Sequence, residues 1–87
     1  MLDLTIVLPA FNEQSAIVEV IQDVKDAMSG WTGEWEILVV DDASTDATAE
    51  LAEQEEVRVI RRVQNGGSGA ARKTGIRQAR GELVAML

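Results

Sequence analysis

Three short stretches hold the side chains best suited to chemistry. Asp41 and Asp42 stand together after the apolar run Ile37-Leu38-Val39-Val40 and before Ala43-Ser44-Thr45-Asp46. Glu13 closes the segment Pro9-Ala10-Phe11-Asn12-Glu13. Asn65-Gly66-Gly67-Ser68-Gly69 runs into Ala70-Ala71-Arg72-Lys73. Carboxylates accept hydrogen bonds from N–H and O–H groups, so Glu13 and Asp42 suit the edge of a heterocyclic base or the hydroxyls of a sugar. They do not suit direct contact with a phosphate, which carries the same sign. A phosphate would instead need cations, and backbone N–H groups at Gly67-Ser68-Gly69 offer an anion cradle at a helix start. Plainer roles compete: a turn or cap for Asp41 and Asp42, a first-turn carboxylate for Glu13, core packing for Phe11, and a solvated helix face for Arg72 and Lys73.

The elements that must position these residues follow from the hydrophobic pattern. An unbroken apolar run bounded by turn formers reads as a strand of a parallel sheet, buried on both faces. Asp41 and Asp42 then lie at its carboxyl end, where α/β sheets bind ligands. Leu4-Thr5-Ile6-Val7-Leu8 reads as the first strand, with Pro9 stopping the ladder. From Ser15, residues Ile17, Val20, Ile21, Val24, Ala27 and Met28 recur at helical spacing, and the helix stops near Ser29-Gly30. Asp46 to Gln54 predicts a short helix with Leu51 and Ala52 inward, and Val57 to Ile60 a brief strand. Ser68 is the expected cap of a third helix that runs to about Arg80 and is ended by Gly81. Gly75 inside it points to close backbone approach. Leu83 to Leu87 reads as a further buried strand. The order predicts an α/β fold: a Rossmann-like, mostly parallel sheet with helices on both faces.

Composition narrows the chemistry. The 87 residues include no cysteine and no histidine, so thiolate and imidazole chemistry are excluded and any metal must be a hard cation on carboxylates. The net charge of −7 is unevenly placed. Residues 1–57 hold fourteen acidic residues against Lys25 alone, whereas residues 58–87 hold seven basic residues against Glu82 alone. That asymmetry directs the search for an anion site to the last third, while the acidity of the whole argues against nucleic acid as a partner. No apolar stretch reaches the ~20 residues of a membrane span, and the start lacks the basic character of a secretory signal, so a cytoplasmic location is expected. The chain stops on five apolar residues with no turn signal after them, which reads as the front piece of a longer protein. Its last strand would leave an open edge for self-association.

Two glycine-loop motifs fail. Gly67-x-Gly69-x-x-Arg72 has Arg where a dinucleotide fingerprint needs a small residue, and Lys73-Thr74 follows Arg72 where a P-loop needs Gly. A receiver domain of two-component signalling would share the Asp41-Asp42 pair, but no Asp ends the later strands.

Four segments in order and register carry a resemblance: Ile6-Val7-Leu8-Pro9-Ala10-Phe11-Asn12-Glu13; Leu38-Val39-Val40-Asp41-Asp42-Ala43-Ser44-Thr45-Asp46; Asn65-Gly66-Gly67-Ser68-Gly69-Ala70-Ala71-Arg72-Lys73-Thr74-Gly75-Ile76; and Ala79-Arg80-Gly81-Glu82. Together they resemble family 2 glycosyltransferases of the GT-A fold, nearest to the branch that loads a sugar onto a polyprenyl or dolichyl phosphate. The resemblance implies that residues 1–87 are the nucleotide-sugar-binding N-terminal part of an inverting enzyme that transfers a hexose. It implies nucleotide-binding roles for Pro9, Phe11, Glu13, Val40, Asp41, Asp42 and Lys73, although Phe11 replaces a frequent Tyr and Lys73 a frequent Asn. It implies a divalent cation, Mg or Mn, whose Asp-x-Asp ligands and whose catalytic base would lie beyond Leu87, so no catalytic or metal residue is expected in this chain. The implied partners are a nucleotide-diphosphate sugar and an acceptor such as a membrane lipid phosphate, met at the cytoplasmic membrane face. The alternative is a flavodoxin-like or receiver-like binding module without catalysis.

Overall fold

The computed structural model describes residues 2–87. Seven elements alternate: β1 (Leu2–Ala10), α1 (Ile17–Ala27), β2 (Trp35–Asp41), α2 (Thr48–Glu53), β3 (Arg58–Arg61), α3 (Gly67–Gln78) and β4 (Gly81–Met86). The sheet order is β3-β2-β1-β4, and every neighbouring pair is parallel. This is the expected α/β architecture.

The continuous apolar runs split between two faces because side chains alternate along a strand. Ile6, Leu8, Ile37 and Val39 face one way and pack with Ile17, Ile21 and Val24 of α1 and Ala52 of α2. Val7, Leu38 and Val40 face the other way and pack under Ala71 of α3. On that second face α3 comes close: a Cβ at Gly75 would overlap the Val7 side chain, which is the close approach its sequence position implied.

Several boundaries differ from expectation. β1 runs through Pro9 to Ala10, with Pro9 opposite Val40. The Val7 carbonyl accepts from Leu87 on the β4 side, and the Ala10 carbonyl accepts from Asp42 on the β2 side. Pro9 therefore turns its nitrogen toward β4, where it offers no N–H to the Leu87 carbonyl, and the β4 side of the ladder ends at the Leu87–Val7 bond. α2 is shorter than expected because Asp46 accepts from the Thr48 N–H and hydroxyl, forming a turn ahead of the helix. Gly66, not Ser68, occupies the start of α3, and the N–H groups of Gly66 and Gly67 are met by the Asp42 carboxylate. Gly81 is not a helix terminator: Ala79 ends α3 in extended geometry, and Gly81 opens β4. A Cβ there would strike the β1 backbone at Leu4 and Thr5, so glycine is needed for strand approach. β4 is an edge strand and is not buried, since Leu83 is 66% exposed and Val84 39%.

At the amino-terminal end of the sheet one polar cluster joins four elements. Glu36 accepts from the Thr5 hydroxyl (2.6 Å), Arg58 (3.2 Å) and the Arg80 N–H (3.0 Å). The Thr5 oxygen in turn accepts from the Gly81 N–H at 2.8 Å. Burial pushes the Glu36 carboxyl up, but these bonds outweigh it and hold it below the ordinary glutamate range.

Candidate functional site

The candidate site lies at the opposite edge, where β1 and β2 end side by side and the Asp42 N–H bonds the Ala10 carbonyl at 2.9 Å. A cavity of about 320 Å³ opens there, lined by Pro9, Ala10, Phe11, Glu13, Asp42, Asn65, Gly67, Ser68 and Ala71. That volume falls at the lower end of the range for small-molecule sites. Glu13 and Asp42, 29 residues apart in sequence, thus share one pocket.

The β1–α1 loop is held by the β2–α2 loop through a run of reciprocal hydrogen bonds. Ser44 accepts from the Asn12 N–H (2.9 Å), Thr48 from the Glu13 N–H (2.8 Å) and Asp46 from the Gln14 N–H (3.3 Å). In return the Asn12 side-chain oxygen accepts from the Thr45 N–H (2.8 Å) and the Gln14 side-chain oxygen from the Ala47 N–H (3.0 Å). Asn12 at φ 51° and Ala43 at φ 62° make the left-handed bends that bring the loops face to face. Asn adopts that conformation readily and Ala does not, so Ala43 is a strained position beside the pocket. The bond from Thr48 and the N–H groups around Asp46 hold its carboxyl below the ordinary aspartate range.

The two adjacent aspartates do different work. Asp41 accepts from the Ser44 N–H (3.1 Å) and hydroxyl (2.5 Å) and shapes the turn. Asp42 is 3% exposed and belongs to the pocket wall. Its carboxylate accepts from Arg62 (2.8 Å), from the Gly66 N–H (3.1 Å to one oxygen, 3.2 Å to the other) and from the Gly67 N–H (2.8 Å). Its carbonyl accepts from the Asn65 amide at 3.3 Å. The glycine N–H groups at the start of α3 are therefore turned to an internal anion. The expected cradle for a ligand's phosphates is in this part filled by Asp42.

Of the seven residues singled out from sequence, the pocket collects Pro9, Phe11, Glu13 and Asp42. Val40 is fully buried beneath it, against α3. Asp41 stands behind the turn, and Lys73 is exposed on α3 outside the lining. Phe11 is 44% exposed and so keeps a face open to a ligand. The charge split is also partly spent internally: Arg58 pairs with Glu36, Arg61 with Glu50 and Glu53, and Arg62 with Asp42. Sequence reasoning missed Arg62 and placed Asn65 only at the head of the glycine-rich stretch. The signal available was physical: a carboxylate buried at a strand end requires a cation or N–H donors close by.

Chemically, the site combines apolar walls from Pro9, Ala10, Phe11 and Ala71 with acceptors on Asp42, Glu13 and Asn65. A flat heterocycle with N–H donors, carrying a hydroxylated sugar, matches that lining.

The chain is similar to known proteins in both sequence and fold. The family described as "Glycosyl transferase family 2" matches residues 5–87. The dodecaprenyl-phosphate galacturonate synthase of Rhizobium johnstonii is 37% identical over 99% of this chain, and a dolichyl-phosphate beta-glucosyltransferase of Trichomonas vaginalis is 33% identical over 95%. The chain spans 27% and 28% of the length of those two relatives. Among solved structures, S. aureus TarS in complex with UDP superposes with a TM-score of 0.86 at 30% identity, covering 98% of this chain and 26% of TarS. Glucosyl-3-phosphoglycerate synthase from Mycobacterium tuberculosis, in complex with Mn2+, UDP and glucosyl-3-phosphoglycerate, gives 0.81 at 30% identity, covering 99% of this chain and 33% of that enzyme.

Proposed function

This chain belongs to glycosyl transferase family 2, and from that premise we propose that its pocket binds the nucleoside of a nucleotide-diphosphate sugar. The observation that carries the reading is the meeting of Phe11, Glu13 and Asp42 in one cavity at the carboxyl ends of β1 and β2. Phe11 supplies a stacking face for the base, Asp42 accepts from a base N–H, and Glu13 accepts from ribose hydroxyls. Pro9 forms the pocket wall, Val40 supports its floor from below, and Asp41 sets the turn that aims Asp42. Lys73 and Arg72, exposed on α3, contribute positive potential toward the diphosphate.

The whole protein, in this proposal, is an inverting glycosyltransferase that delivers a hexose to an acceptor. The acceptor class in this proposal is a polyprenyl phosphate, which the names of the two relatives support, and the membrane face proposed for it is the cytoplasmic one. No helix among the described residues is long and apolar enough to cross a membrane. A divalent cation, Mg or Mn, would offset the charge of the leaving diphosphate. The carboxylates of this chain do not fit as its holders: Asp41 and Asp42 are engaged by Ser44, Arg62 and two backbone N–H groups, and among the described residues no cluster of three ligating side chains forms. In this proposal the cation is held by residues outside this chain.

Titrating the chain with UDP and with GDP tests the nucleotide reading. Amide shifts confined to Phe11, Glu13, Asp42 and Asn65–Ser68 are expected in NMR spectra. Shifts centred elsewhere, or none at millimolar nucleotide, would remove it.

A further inference from the structure

We propose that the outer face of α3 docks on an anionic lipid bilayer. This surface lies apart from the nucleotide pocket and does not depend on the nucleotide reading. The basic residues show where it is. Of the eight in the chain, Lys25 donates to the Glu55 carbonyl, and Arg58, Arg61 and Arg62 pair with carboxylates. The others, Arg72, Lys73, Arg77 and Arg80, stand on α3 or just past its end. All of them are exposed, and none forms an ion pair among the described residues.

A helix turns once in about 3.6 residues, so its buried positions fix the opposite face. Ala71 and Gly75 are turned to the sheet, against Val7 and Val40. Lys73, Ile76 and Arg77 therefore point away from it, and Ile76 is 57% exposed between the two cations. Arg80 follows where Ala79 leaves the helix. No acidic residue stands between Gly66 and Gly81. The other face of the sheet is covered by α1 and α2, which carry Glu19, Asp23, Asp26, Glu50 and Glu53. The chain is thus polarised through its thickness, acidic on one layer and basic on the other. Screening over about 10 Å at 0.1 M salt makes the nearest face count at a surface, more than the net charge of the whole.

Charge and one apolar side chain select the occupant. A cationic helix face with an apolar residue at its middle suits the headgroup layer, where the cations meet lipid phosphates and the apolar group reaches the acyl boundary. A nucleic acid would gain nothing from Ile76, would repel the acidic remainder of the chain, and would find no aromatic side chain on α3 to stack its bases. The face also adjoins the site. Ser68 and Ala71 of α3 line the pocket, and Arg77 stands about 14 Å beyond Ser68 along the helix axis. A bilayer on this face passes the α3 wall of the pocket, where a lipid-borne acceptor of the class proposed above would arrive.

The test is co-sedimentation of the chain with phosphatidylcholine vesicles and with vesicles in which about one third of the lipid is phosphatidylglycerol, at about 0.1 M salt. Binding to the anionic vesicles alone is expected, weakening as salt is raised. One basic residue near such a surface is worth about fivefold in partition, so Arg77→Gln should bind about fivefold more weakly and the Arg77→Gln/Arg80→Gln double variant about twenty-five-fold. Ile76→Ser should weaken binding about threefold. Arg61→Gln removes the same charge from the α2 side, where Arg61 pairs with Glu50 and Glu53, and should stay within about twofold of the parent. Circular dichroism checks that each variant is folded; should the double variant not fold, Arg77→Gln against Arg61→Gln decides. No binding to anionic vesicles, equal binding to both kinds, or equal losses with Arg77→Gln and Arg61→Gln overturns the proposal. So does tighter binding of a DNA duplex than of the vesicles. None of these outcomes touches the nucleotide reading, whose UDP titration is read without lipid.

Discussion

Asp42 and Gly75 show how single residues carry the site. Removing the Asp42 carboxylate strands the Arg62 guanidinium and the Gly66 and Gly67 N–H groups in a nearly closed environment. Asp42→Ala is therefore expected to cost about 2–4 kcal/mol in urea unfolding and to abolish UDP binding in the same preparation. Gly75 acts through space it leaves empty. A methyl group there meets Val7, so Gly75→Ala should cost about 1–3 kcal/mol by overpacking, despite the better helix propensity of alanine. Adding Val7→Ala should recover part of that loss, and a double-mutant cycle measures the coupling.

Elements are joined at each end of the sheet by a different polar device. At the binding end, loop clasps loop through Asn12, Gln14, Ser44, Asp46 and Thr48. Asn12→Ala removes the acceptor for the Thr45 N–H and places a poorer residue at positive φ. It should weaken UDP binding about three- to tenfold, consistent with loss of one hydrogen bond plus backbone strain, and speed amide exchange at Glu13 and Gln14. At the other end Glu36 ties β1, β2, β3 and the α3–β4 turn. Its native pKa is depressed, so the unfolded chain binds more protons than the folded one in the acid range. That stability is complete above the ordinary glutamate value of about 4.3 and is lost as pH falls through the lower native value. Asp46 contributes with the same sign. Glu36→Gln should flatten the pH dependence of the unfolding midpoint below about pH 4.5 without changing its shape near neutrality, as unfolding curves across pH 3–7 would show.

For the whole molecule, three of the seven basic residues of the last third are paired with acidic residues of the first two thirds, so the charge asymmetry of the sequence is in part a set of internal contacts. Since no cluster of ligating carboxylates forms among the described residues, UDP affinity of this chain should change by less than about twofold when magnesium or manganese is replaced by a chelator. A larger drop in titration would place a cation site here. What the sequence alone determined was the α/β alternation, the parallel sheet and the placement of Asp41 and Asp42 at a strand end. These follow from local periodicity and turn chemistry, which neighbouring residues specify among themselves. The tertiary structure decided which aspartate faces the pocket, that Arg62 holds it, that Gly81 serves strand approach, and that β1 runs through Pro9 to Ala10. Each of these depends on a partner from a distant segment, and no local pattern encodes the distance at which two segments meet.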